Sequence, residues 1–221
     1  MAAVGFDSYA AFQTRIRQFH AEPRVAAARG STLYERAVRS AAASLEALAS
    51  EIVDASALED MGAALASSPV LPIVGLRTAA GTATTFASFA SKIHPDVRLF
   101  TEGGSGMFEG LLGARSAGSK WALGIVLPRY PSEAIEALRF LKKQGCRVAV
   151  ITDHPLSPAA RLGDMTVVAA VGSELIFDTQ VVPTMVTNLL LEAMADATPK
   201  QSQQRLEAFD ELAEAHGLFV D

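Results

Sequence analysis

Two short turns in this sequence each place an arginine between the end of an apolar run and the start of a helical one. GLRTAA (residues 75–80) closes the run VLPIVG, and PRYPSE (residues 128–133) closes WALGIVL. A helix start offers unpaired backbone N–H groups and the positive end of the helix dipole, and a guanidinium adds a planar array of donors. Such a turn suits an oxyanion, phosphate above all. In the first turn Gly75 is expected to allow a tight bend, Arg77 to bring charge, and Thr78 either to offer its hydroxyl to the anion or to cap the helix. In the second, Arg129 meets a ligand or pairs with a carboxylate, and Ser132 binds the anion or caps the helix. The backbone amides of Glu133 and Ala134 complete that corner. Tyr130 either points into the pocket or packs against the sheet.

Further candidates sit at other strand ends. TEGGSG (residues 101–106) has adjacent glycines that allow a ligand close to the backbone, with Ser105 or Glu102 beside it; a plain flexible loop is the alternative. TDHPLSP (residues 152–158) offers Asp153 and His154, although Asp before His-Pro and Ser before Pro are also ordinary turn chemistry. GSELIFDT (residues 172–179) puts Glu174 in a loop ahead of a long helix. Aldose–ketose isomerisation needs a base and a second group to polarise the carbonyl. Glu174 with His94 or His154 would supply them, yet no spacing brings them together. His94, at a helix end before a proline, is expected to be solvated or capping. No His, Cys and acidic cluster has metal-ligand spacing, and GLRTAAG carries Arg77 where the dinucleotide pattern G-x-G-x-x-G has its second glycine, so neither a metal nor another cofactor is expected.

The elements that must position these groups follow from hydrophobic pattern. Residues 70–75, 97–100, 121–127, 147–152 and 165–170 are short apolar runs without strict alternation, as in strands covered on both faces. Helical patterns lie between them. The clearest, SEAIEALRFLKKQG, has Ile135, Leu138 and Leu141 on one stripe, Ser132 as a cap and Gly145 as a stop. Repeated strand–helix–strand units give right-handed crossovers and a mainly parallel sheet. The expected fold is therefore α/β, a three-layer α/β/α sandwich around five strands. Helical segments precede it (residues 32–52 and 56–68, with Ser56 and Glu59 at capping-box spacing) and follow it (residues 177–197 and 202–217).

Composition narrows the class. The chain has 221 residues, half of them hydrophobic and 19% charged, enough for one sizeable core. A net charge of −5 with scattered basic residues disfavours nucleic-acid binding by this chain alone. No apolar stretch reaches the roughly 18 residues of a spanning helix, and MAAVGFDSYAAF lacks the basic start and apolar run of a signal peptide, so no membrane partner and a cytoplasmic location are expected. The single cysteine, Cys146, reads as a buried structural thiol.

Three segments resemble the RpiR family of bacterial transcription regulators, in which a helix-turn-helix domain is joined to a sugar isomerase (SIS) domain. LGIVLPRYPSEAIEALRFLKKQGCRVAVITDHPLSPAARLGDMTVVA follows the family's strand, arginine–tyrosine turn, helix and strand. IVGLRTAAGTATTFASF is similar to its first strand-to-helix turn, and VGFDSYAAFQTRIRQF to the closing helix of its DNA-binding domain. The resemblance implies residues 1–30 as a remnant of that domain and linker, and residues 31–221 as an SIS effector-binding and dimerisation domain. It implies a sugar phosphate or related carbohydrate derivative as ligand, a homodimer, and DNA as a partner only through a helix-turn-helix unit ahead of Val4. Glu174 stands where SIS isomerases often carry a catalytic glutamate. The chain departs from the pattern at Ala79, Pro128 and Pro131, where relatives carry hydroxyl residues. A phosphosugar isomerase and a dimerisation module without ligand are the alternative functions.

Overall fold

A computed structural model of the chain describes residues 32–51, 56–172 and 174–219. The chain enters through α1 (Leu33–Glu51) and α2 (Ser56–Ala66). It then alternates through β1 (Leu71–Val74), α3 (Ala80–Ile93), β2 (Val97–Phe100), α4 (Ser105–Ser116), β3 (Trp121–Val126), α5 (Ser132–Lys143), β4 (Arg147–Thr152) and β5 (Met165–Val168). Two helices, α6 (Val181–Ala197) and α7 (Pro199–His216), close it. All five strands are parallel in the order β2-β1-β3-β4-β5. The amphipathic segment around Phe12, Ile16 and Phe19 lies outside the described residues.

Side chains alternate across the sheet as the two-residue strand period requires. Leu71, Ile73, Leu123 and Ile125 face one layer, formed by α1, α2, α3 and α6 through Leu48, Met61, Phe86 and Leu190. Val74, Ala122, Val126, Val148 and Val150 face the other, formed by α4 and α5 through Leu111, Leu138 and Leu141. Burial on both faces explains why the strands lack polar alternation. Gly124 is the exception in β3: a Cβ there would lie 2.7 Å from Leu138, so its absence lets α5 settle onto the sheet. Helix α5 ends as expected, with Gly145 at φ 77° and N–H bonds from Gly145 to Lys142 and from Cys146 to Leu141, the paired closure of a Schellman motif.

Three boundaries differ from the sequence expectation. Residues 78–93 open as a 3-10 turn (Arg77–Ala79) before becoming α-helical. The helix expected from residue 177 starts at Val181, because residues 172–179 close on themselves through a bridge between Gly172 and Thr179. Ser132 is the first residue inside α5 rather than its cap; Pro131 holds the cap position and no side chain caps the helix.

Candidate functional site

The carboxyl ends of β1 and β3 lie side by side, since Val74 pairs with Gly124. Each strand leads into one arginine turn. Among the described residues, the non-glycine residues with positive φ are Arg77 (59°) and Arg129 (70°). A left-handed backbone costs an L-residue about 1–2 kcal/mol, and both arginines hold it on neighbouring strand ends. Sequence drives this locally at the second turn. Pro128 fixes its own φ and Pro131 keeps Tyr130 extended, so the reversal falls on Arg129, the place glycine usually takes in a type II turn. Gly75 plays a different part from the expected bend. Its φ is not positive; a Cβ there would collide with Ala83, so glycine lets α3 approach β1, and the bend falls on Arg77.

Both guanidiniums are exposed, and neither forms an ion pair among the described residues. A cavity of about 390 Å³ opens beside Arg77, lined by Leu76, Arg77, Ala80, Thr101, Glu102, Gly103 and Glu133. Glu133 is anchored beside it by its side chain: Oε1 accepts the Gly104 N–H at 2.9 Å. A Cβ on Gly103 would strike the same carboxylate, so the paired glycines make room for a glutamate from α5. Ser105, the first residue of α4, is exposed and outside this lining.

The two helix starts differ as donors. The first backbone bond of α5 runs from the Ile135 N–H to the Pro131 carbonyl, leaving the amides of Ser132, Glu133 and Ala134 without an intrahelical acceptor. In the first turn the Ala79 and Ala80 amides are taken by Leu76 and Arg77 carbonyls. That turn is instead held from outside. Gln180 Nε2 donates to the Thr78 carbonyl at 2.7 Å while its Oε1 accepts from the Thr82 hydroxyl. Gln180 was not singled out by sequence reasoning, since nothing local marks it; its partners lie about a hundred positions away. The segment leading to it leaves β5 at the sheet edge and ends against the turn after β1, so it spans the carboxyl edge. Glu174 lies exposed within that segment.

On the far side of the Arg129 turn, Tyr130 packs partly buried against the α5 layer and its hydroxyl donates to Asp153 Oδ2 at 3.2 Å. Burial pushes the Asp153 carboxyl up, and the bonds from Tyr130 and Thr152 pull it partway back. His154 is exposed and its Nδ1 accepts the Leu156 N–H, ordinary turn chemistry.

His94 corrects the expectation of a solvated residue. It is 3% exposed at the amino edge of the sheet, its Nε2 donating to the Ser68 carbonyl at 2.7 Å and its Nδ1 accepting the Asp96 N–H at 3.2 Å. Those partners fix the Nε2–H tautomer, and burial lowers the pKa. With His94 at one sheet edge and Glu174 at the other, that acid–base pair is excluded. Cys146 is buried, its thiol pushed up by burial. Among the described residues no cluster of three His, Cys or acidic side chains could hold a metal, and no helix is long and apolar enough to cross a membrane.

Residues 114–193 match the family model of the SIS domain. No curated protein sequence matches the chain. Among solved structures, the sugar isomerase domain of an RpiR transcription factor from Sphaerobacter thermophilus superposes with a TM-score of 0.70 at 23% identity, over 81% of this chain and 96% of that one. The Vibrio vulnificus NanR protein complexed with ManNAc-6P gives 0.74 at 15% identity, over 100% and 80%. A protein of Escherichia coli CFT073, solved as a complex, gives 0.61 at 18%, over 80% and 95%. These likenesses show the fold: a five-stranded parallel α/β/α sandwich of SIS type.

Proposed function

We propose that this chain is an effector-sensing SIS domain of a bacterial transcription regulator of the RpiR type. Its ligand is a sugar phosphate or a related anionic carbohydrate derivative, bound at the carboxyl edge between the turns at residues 75–80, 101–104 and 128–133. One observation carries the reading: two arginines hold a costly positive-φ backbone on adjacent strand ends, and both guanidiniums are without an ion-pair partner among the described residues. Backbone strain persists where the surrounding structure enforces it, and binding sites are where it gathers. The likeness to NanR, solved with ManNAc-6P, supports the ligand class. In this reading Arg77, Arg129 and the free amides of Ser132–Ala134 hold the anion, while Gly75, Thr78 and Gln180 shape the first turn.

A sensor acts only through differential affinity for two states. Here those states belong to a cytoplasmic homodimer whose attached helix-turn-helix unit meets DNA. Isothermal titration of pentose and hexose phosphates tests the reading. Heat is expected from at least one, weakened at least about tenfold in Arg129→Ala; silence from the whole panel refutes it.

A phosphosugar isomerase is the second reading, favoured by the raised Asp153 carboxyl beside Tyr130 at the same edge. Turnover of those phosphates, abolished in Asp153→Asn or Glu174→Gln, would replace the sensor reading.

A further inference from the structure

The cavity beside Arg77 is not lined as a simple anion site would be. Its lining contains one cation and two carboxylates, Glu102 and Glu133. Glu133 is anchored there: one oxygen accepts the Gly104 N–H, and the missing side chain at Gly103 leaves its carboxylate room. A carboxylate has about four lone-pair positions, and this bond uses one. Glu102 has no hydrogen-bonded or ionic partner among the described residues, so its acceptors are open as well. The cation that shares the lining, Arg77, is likewise unpaired among the described residues.

A wholly anionic ligand would meet both glutamates as like charges. A ligand with an anion at one end and a cationic donor at the other would satisfy Arg77 and the carboxylates together. Charge-assisted hydrogen bonds are roughly twice as strong as neutral ones, so an ammonium is preferred over a hydroxyl in the same place. The volume of about 390 Å³ suits a single monosaccharide.

We propose that the site selects a zwitterionic sugar, a hexosamine phosphate with a free amine, whose ammonium lies between Glu102 and Glu133 while its phosphate faces Arg77. This rests on the anion-site reading above and adds the polarity of the ligand's other end. The test is calorimetric titration of the full chain with glucosamine 6-phosphate, N-acetylglucosamine 6-phosphate and glucose 6-phosphate, at a pH where the amine is protonated. The free amine is expected to bind about tenfold tighter than either neighbour. Glu102→Gln and Glu133→Gln should each shrink that gap. Thermal unfolding of both variants confirms that they are folded. Equal affinities, a preference for the N-acetylated sugar, or a gap that survives both substitutions overturns the selectivity but leaves the anion site standing. Absence of binding by all three and by the wider phosphate panel overturns the site and the selectivity together.

Discussion

Arg129 allows backbone strain and ligand binding to be separated at one residue. Its φ of 70° lies in the left-handed region, where a Cβ costs about 1–2 kcal/mol and glycine adapts freely. Arg129→Gly and Arg129→Ala both remove the guanidinium, but only the glycine relieves the backbone. Glycine also gains freedom in the unfolded chain, worth about 0.5–1 kcal/mol against it. The balance puts the glycine variant ahead of the alanine variant by up to about 1.5 kcal/mol, or at most roughly 3–6 °C in midpoint for a chain of this length. The side chain is exposed and has no ion-pair partner among the described residues, so its loss adds little to either variant's stability. Thermal and urea unfolding at one fixed protein concentration measure the difference, with concentration held because association shifts apparent stability. Titration with the sugar phosphates measures binding. The expected pattern is a glycine variant at least as stable as its alanine counterpart, and equal loss of ligand affinity in both. An alanine variant more stable than the glycine one refutes the strained backbone; unchanged affinity in either refutes a ligand role for Arg129.

Gln180→Ala removes two bonds to the first turn, at Thr78 and Thr82, and should cost about 1–2 kcal/mol in urea unfolding while weakening ligand binding with Arg77 intact. Gln180→Glu keeps an acceptor for Thr82 but cannot donate to the Thr78 carbonyl, so it should recover only part of the loss. His94 has a folded pKa below its unfolded value of about 6.5, so the unfolded chain takes up more protons as pH falls. Its contribution is complete above about pH 6.5 and is lost progressively below that. Stability measured from about pH 7 to about pH 5 should therefore fall more steeply in the wild type than in His94→Gln, and parallel curves would contradict the buried neutral imidazole.

The sheet was the most legible part of the sequence, because burial on both faces writes each strand as an uninterrupted apolar run. All five runs became strands of one parallel sheet. Both arginine turns were legible for the same reason: they interrupt such runs at their carboxyl ends. What could not be read was anything set by a distant partner. Gln180 meets the first turn across about a hundred residues, and the Glu133 carboxylate takes its place from a glycine pair on another strand's loop. His94 looked like a helix-end residue beside a proline. Only the third dimension brings the Ser68 carbonyl against its ring. Ser132 failed as a cap because Pro131 occupies the position just before the first turn of α5, a local rule that the strength of serine as a capping residue obscured.

The prolines also bear on what kind of site this is. The resemblance to the SIS pattern implies hydroxyl residues where Pro128 and Pro131 stand, and the second turn carries arginine at positive φ where glycine would be unstrained. Short hydroxyls hold a phosphate close to the backbone in a fixed cradle. Arginine does so from the end of a long side chain, with charge in place of close contact. The prolines stiffen the turn that bears it, so the backbone is preset while the guanidinium stays adjustable. A turn built this way tolerates anions of different size better than it discriminates among them by fit. Under the proposed function, selectivity then comes from the neighbouring cavity, whose charged lining groups are Arg77 and the two carboxylates, Glu102 and Glu133. Under the proposed function, the turn with the fewest hydroxyls shifts recognition from the phosphate to the rest of the sugar.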